Sequence, residues 1–200
     1  MNTLLHINTS LFASEGQSSA LAARYVERWR RNHPEGRVIE RNLSEQPVAH
    51  LDAERFGAFL ADEAKLTPLQ RQALDESNTF IDELRAADTV VIGLPMYNFG
   101  IPSMFKAWID HVARPGVTFR YTENGPVGLL ADRKVMVFAA RGGVYQGTPM
   151  DTQTDYVTHV LNFIGLHDIE FVYAEGLALG DDRQRQALAK AHSTIDALAA

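Results

Sequence analysis

Thr89-Val90-Val91-Ile92-Gly93-Leu94 runs directly into Pro95-Met96-Tyr97-Asn98-Phe99-Gly100-Ile101-Pro102, and the architecture of the chain turns on that junction. A strand buried on both faces carries β-branched residues on both, and Val90, Val91 and Ile92 supply them. Two prolines then bracket a loop holding an aromatic pair, a carboxamide and a glycine. Tyr97 and Phe99 offer flat apolar surface, Asn98 offers two donors and an acceptor, and Gly100 lets backbone approach a ligand closely. Such a loop suits a planar heterocycle with hydrogen-bonding edges.

On either side of this junction the chain alternates between strand and helix patterns. Leu4, Leu5 and Ile7 read as a first strand, and residues 8–16 as a polar loop. Gln17–Asn32 places Leu21, Val26 and Trp29 on one helical face, ended by Pro34-Glu35-Gly36. Arg37–Asn42 reads as a second strand, and residues 53–64 as a helix in a less regular segment. Thr67 caps a long helix whose first residue is Pro68. Ser103–Val112 predicts a helix, 134–139 a strand, 151–164 a helix, 169–173 the last strand and 182–198 a closing helix with Leu188, Ala191, Ile195 and Leu198 in register. Asp181-Asp182 reads as its cap and first-turn acid. Residues 114–126 are rich in turn signals around an apolar-aromatic piece, Val117-Thr118-Phe119-Arg120-Tyr121.

Strands alternating with helices predict a mostly parallel sheet covered on both faces. The fold class expected is α/β, a flavodoxin-like doubly wound sheet of five parallel strands in the order 2-1-3-4-5. No linker, repeat or low-complexity tract divides the chain, so residues 1–200 are expected to form one domain. In that order ligands bind where strands 1 and 3 diverge at their carboxyl ends. Three loops meet there: residues 8–17, 95–101 and 140–147.

Composition narrows the function. Nineteen Lys+Arg against 25 Asp+Glu give a formal charge of −6, which argues against nucleic acid or an anionic membrane surface as partner. The basic cluster Arg24, Arg28, Arg30 and Arg31 reads as a solvated helix face. No cysteine is present, which excludes disulfides, thiolate metal sites and a cysteine nucleophile, and fits a cytoplasmic location. No signal peptide is visible, and no apolar run approaches the ~20 residues of a membrane span. The seven histidines show no metal-ligand spacing, and there is no G-x-S-x-G elbow, G-x-G-x-x-G fingerprint or P-loop. What remains is chemistry carried by a bound cofactor, without metal or protein nucleophile.

The first loop places hydroxyls on Ser10, Ser18 and Ser19 beside free backbone N–H groups at a helix start, a combination that holds an anion. Lacking lysine and arginine, it points to a bound monophosphate; the other reading is that Ser18 and Ser19 only cap the helix. The third loop, Ala140-Arg141-Gly142-Gly143-Val144-Tyr145-Gln146-Gly147, is a glycine pair after a strand, by itself no more than a turn.

Taken together, Pro95-Met96-Tyr97-Asn98-Phe99, Arg141-Gly142-Gly143, the run from Gly116 through Phe119-Arg120-Tyr121-Thr122-Glu123-Asn124-Gly125-Pro126, the Ser10…Gln17-Ser18 opening and Ala174-Glu175-Gly176 resemble the motifs of the FMN-dependent NADH-azoreductases. These are also described as NAD(P)H:quinone oxidoreductases of the flavodoxin-like class. The resemblance covers essentially the whole chain in order.

The resemblance implies a flavin phosphate held by Ser10, Gln17, Ser18 and Ser19, with Gly16 standing where the family commonly has serine. It implies a flavin ring flanked by Pro95, Met96, Tyr97, Asn98, Phe99 and Gly100, with Ala140, Arg141, Gly142 and Gly143 at its pyrimidine end. A homodimer with sites at the interface would bring Tyr121 and Phe163 across to join Phe99 and Tyr145 around the substrate. NADH or NADPH would reduce FMN, and a quinone or aromatic azo compound would then take two electrons in a ping-pong cycle. No protein residue would be catalytic in its own right, since flavin N5 carries the chemistry, and no metal is needed. The competing reading is a flavodoxin-like electron carrier without a substrate of its own.

Overall fold

The β-branched run of the third strand forms the centre of the molecule, shown by a computed structural model describing residues 2–198. The strands are β1 (Thr3–Asn8), β2 (Arg37–Asn42), β3 (Thr89–Pro95), β4 (Phe119–Thr122), β5 (Gly125–Gly128), β6 (Lys134–Ala140) and β7 (Ile169–Ala174). Five of them form one parallel sheet in the order β2-β1-β3-β6-β7. Counting only these five, this is the expected 2-1-3-4-5 arrangement. The domain extent expected from sequence, 1–200, reaches past the described residues at both ends.

Alternation along β3 divides the core in two. Val90, Ile92 and Leu94 face a cluster built with α3 (Pro68–Ala86), α4 (Ser103–Val112) and α5 (Thr154–Ile164). Val91 faces the other way, into a cluster with α1 (Gln17–Asn32) and α6 (Asp181–Leu198). Each such aliphatic side chain, fully buried, stabilises the fold by about 1.5–3 kcal/mol relative to its exposed state. Gly93 is where α1 starts against the sheet: a Cβ there would lie 3.2 Å from the Ser18 carbonyl oxygen. That close approach seats the first turn of α1 at the carboxyl end of β3.

Local signals account for the ends of the elements. Thr67 and Gln70 form a reciprocal capping box at α3, with Pro68 as its first residue. Of the basic cluster on α1, Arg24 and Arg28 pair with Asp196 of α6 and Arg30 pairs with Glu40.

Three expectations are corrected. Residues 53–64 do not make one helix: α2 (Ala53–Ala58) stops beside Gly57, and Asp62 accepts from Ala64 N–H to open a separate 3-10 turn, Glu63–Lys65. The helix expected over 151–164 starts at Thr154, because the Asp151 carboxylate caps the Thr154 amide from outside it. The turn-rich segment after Arg114 contains an antiparallel hairpin, β4 with β5. Thr122 Oγ1 donates to the Gly125 carbonyl at 2.7 Å, and Gly125 sits at φ 104, closing its turn.

Candidate active site

The loop after β1 ends at the first residue of α1 with no side-chain cap: Gly16 occupies the cap position at φ −67. A 16-residue helix therefore presents its first amides without a capping oxygen. A Cβ at Gly16 would lie 2.2 Å from Ser10 Oγ, so a larger residue there has to displace the Ser10 side chain. Ser10 Oγ accepts from the Phe12 amide at 3.2 Å and lies 3.4 Å from the Tyr97 hydroxyl. The Tyr97 hydroxyl also accepts from Leu11 N–H at 3.2 Å, tying the first loop to the second. Ser18 is wholly buried, and its hydroxyl has no hydrogen-bond partner among the described residues. An unpaired buried hydroxyl costs about 1–3 kcal/mol, which a ligand oxygen would offset. Ser19 is engaged elsewhere, donating to Asn8 Oδ1 at 2.6 Å.

The second loop is a two-residue reverse turn. Tyr97 and Gly100 exchange both backbone hydrogen bonds, 3.1 and 3.0 Å, around Asn98 at φ 50 and Phe99 at φ 62. Two positive φ values make this a type I′ turn, which asparagine tolerates and phenylalanine does not. The turn is over-determined from behind. Gln153 Nε2 donates to the Pro95 carbonyl at 2.9 Å and the Gly100 carbonyl at 3.3 Å, and the Thr152 hydroxyl donates to the Phe99 carbonyl. Strain of this kind, held by its surroundings, concentrates at ligand-binding sites.

The third loop hangs from a buried ionic chain. Arg141 has a fully buried side chain whose Nη1 donates to Glu175 at 3.1 Å and whose Nη2 donates to Asp151 at 2.9 Å. Its guanidinium lies 5.0 Å from the centre of the Tyr173 ring. Glu175 Oε1 also accepts the amides of Tyr145 and Gln146, each at 3.0 Å. Burial pushes the Asp151 carboxyl up, but the Arg141 hydrogen bond and charge together with the Thr154 amide and hydroxyl outweigh it, holding the group below the usual carboxylate range. Burial raises the Tyr173 phenol against the opposing pull of Thr154 and Arg141.

These three loops enclose a two-part crevice. One part, about 190 Å³, is lined by Ser10, Gln17, Ser18, Tyr97 and Ala140 among others. The other, about 270 Å³, is lined by Met96, Asn98, Phe99, Gly142, Gly143 and Tyr145. Met96 and Gly142 line both, so the two parts lie side by side. The Phe99 and Tyr145 rings meet edge to face at 5.5 Å across the outer part. A hydroxyl-lined end suited to an anion thus sits next to a slot with aromatic and glycine walls. That is the shape of a site for a planar ring carrying a phosphate on a flexible arm.

A family model described as the flavodoxin-like fold matches residues 2–199. A curated FMN-dependent NADH:quinone oxidoreductase of Alcanivorax borkumensis is 52% identical over 196 residues, covering 98% of each chain. One of the same name from Cellvibrio japonicus is 51% identical over 190 residues, 95% of this chain and 96% of the relative. The chain belongs to the FMN-dependent NADH:quinone oxidoreductase family. A crystal structure of azoreductase from Bacillus anthracis superposes with a TM-score of 0.91 at 26% identity, covering 100% of this chain and 99% of that one. A Bacillus anthracis FMN-dependent NADH-azoreductase in complex with FMN gives 0.88 at 27% identity, with both chains fully covered.

Within this family fold, the residues singled out from sequence fall into three groups. Ser10, Gln17, Ser18, Pro95, Met96, Tyr97, Ala140, Arg141 and Gly142 line the anion part, and Asn98, Phe99, Gly143 and Tyr145 the slot. Because the Arg141 side chain is fully buried, only its main chain faces the crevice. Ser19 and Gly100 line neither part; Gly100 faces a separate hollow of about 450 Å³ with Ile101, Lys106 and Tyr156. Tyr121 and Phe163 lie apart from the crevice, both packed on Phe119, with ring centres 5.6 and 4.2 Å from it. Sequence reasoning missed Asp151, Thr152, Gln153 and the role of Glu175. Asp151, Thr152 and Gln153 read as the first turn of the helix expected over 151–164, and nothing in their spacing shows that they face the second and third loops.

Proposed function

We propose that this chain is an FMN-dependent NAD(P)H oxidoreductase that passes two electrons to quinones and aromatic azo compounds. One observation carries the reading: an uncapped helix N-terminus and the unpaired Ser18 hydroxyl line a hollow that lies side by side with an aromatic slot, Met96 and Gly142 bordering both. A phosphate is the anion that suits the first end, where amides and a hydroxyl donate and no free cation is needed. A flat ring suits the second.

FMN bound here supplies the capacity to accept a hydride and return two electrons. Everything else is done by the chain's own groups. The first amides of α1 and the hydroxyl of Ser18 bind the phosphate, with Gln17 beside them. Tyr97 braces that loop through Leu11 and Ser10. Met96, Asn98 and Gly142–Gly143 would flank the ring, and main-chain N–H groups of the third loop would donate to it as it gains charge on reduction. Phe99 and Tyr145 narrow the slot, exclude water and orient first the nicotinamide and then the acceptor.

The reading includes a homodimer. Tyr121 is 74% exposed, and Phe163 borders a separate groove with Tyr156, His159 and Val160. Their position away from their own crevice supports a role in a second copy's slot. Among the described residues no helix is long and apolar enough to cross a membrane. A single domain over 1–200, working in the cytoplasm where NADH is supplied, completes the reading.

Steady-state NADH oxidation by purified protein tests it. Turnover is expected to require both FMN and an added quinone, and to continue with an aromatic azo compound in the quinone's place. Protein that binds FMN but turns over with neither acceptor would leave an electron carrier as the better reading.

A further inference from the structure

The walls of the slot are held by one connected polar structure outside it. On one side, Glu175 accepts the amides of Tyr145 and Gln146. The neighbouring carbonyls are fixed too: Arg141, Gly142 and Gly143 accept from the amides of Leu177, Ala178 and Gly176 at 3.1, 3.0 and 2.8 Å. On the other side, Thr152 and Gln153 hold the Pro95–Gly100 turn. Arg141 joins the two, bridging Glu175 to Asp151, whose carboxylate also accepts from the Gln153 and Thr154 amides. One guanidinium between two carboxylates leaves a net negative charge, and all three side chains are no more than 10% exposed.

We infer that Glu175 is a positioning residue for the reaction: it sets the third loop against the flavin ring, and with Arg141 and Asp151 forms a fixed negative bias behind that wall. The inference rests on the FMN reading above. Its physical basis is that a buried charge is weakly screened and acts on any charge that develops nearby. Reduction adds negative charge to the ring, so the bias disfavours the reduced cofactor and keeps it a strong donor to acceptors. The single cation is shared between both carboxylates, so one of the two negative charges is left uncompensated.

Three variants separate position from charge. Glu175→Ala removes the loop contacts, Glu175→Gln keeps an accepting oxygen without the charge, and Asp151→Asn removes the far charge while leaving Glu175 in place. FMN binding to apoprotein is followed by quenching of flavin fluorescence, and the two-electron midpoint potential of the holoprotein by anaerobic spectral titration. Glu175→Ala is expected to weaken FMN binding about tenfold or more, with Glu175→Gln closer to the wild type. Both Glu175→Gln and Asp151→Asn are expected to raise the potential, a change that a purely structural role does not produce. Should Glu175→Ala fail to fold, the potentials of the other two decide. Potentials unchanged in both, or a folded Glu175→Ala that binds FMN within twofold of wild type, would overturn the inference. A wild-type chain that takes up no FMN contradicts the underlying reading instead, before any variant is compared.

Discussion

Ser18 and Ser19 are adjacent and chemically identical, yet the fold gives them opposite roles. Ser19 spends its proton on Asn8, whereas Ser18 is buried without a hydrogen-bond partner among the described residues. Ser18→Ala should therefore leave apoprotein stability unchanged or raise it, while weakening FMN binding about 10- to 100-fold, the worth of a hydrogen bond to a charged group. Ser19→Ala should do the reverse, lowering stability by about 1 kcal/mol with little effect on affinity. Denaturant melts and FMN titrations of the two variants check both. The sequence shows two serines at a helix start and nothing that tells them apart; the difference comes from which one the α1 turn directs at β1. Phe99 makes a second case. It is 46% exposed at a positive φ, so Phe99→Gly removes backbone strain at little packing cost. Stability of that variant should hold or increase while KM for a quinone rises severalfold, which melts and initial rates would show.

At the scale of elements, the doubly wound sheet was legible because its evidence is periodic. The β-branched run of β3, the amphipathic α1 and the Thr67-Pro68 start of α3 each announce themselves locally. The boundaries that failed depend on distant partners. Asp151, Thr152 and Gln153 look like the first turn of α5, but Arg141 and the Pro95–Gly100 turn claim them. The hairpin β4–β5 was seen only as turns and aromatics, since strands of four residues carry too short a pattern. This junction ahead of α5 has a pH signature. Asp151 is held below the usual carboxylate range in the folded protein, so its contribution is complete above the unfolded value of about 4 and is lost as pH falls through the lower folded value. Asp151→Asn should be clearly less stable than wild type at neutral pH, and the gap should close below about pH 4. Urea melts across that range measure it.

For the whole molecule, the crevice matters because it is where the order of strand addition reverses, between β1 and β3, and three loops with different capacities converge. The second loop alone reads as a generic cradle for a flat ring, and the glycine pair alone as a turn. The strand order β2-β1-β3-β6-β7 places them beside the uncapped start of α1, and that conjunction suits a flat ring carrying a phosphate. A ligand that binds only the folded chain must stabilise it, so FMN at about a hundred times its Kd should add about 2.7 kcal/mol to the unfolding free energy. Thermal melts with and without FMN give that number, and riboflavin, lacking the phosphate, should give much less. Anaerobic addition of NADH to the FMN-loaded protein, followed by a quinone, separates the two halves of the reaction. One equivalent of NADH is expected to bleach the flavin absorbance and one equivalent of quinone to restore it, both within the turnover time. Flavin that stays oxidised under excess NADH, or that is bleached but not restored by any quinone or azo compound, would contradict a hydride-accepting, acceptor-reducing site.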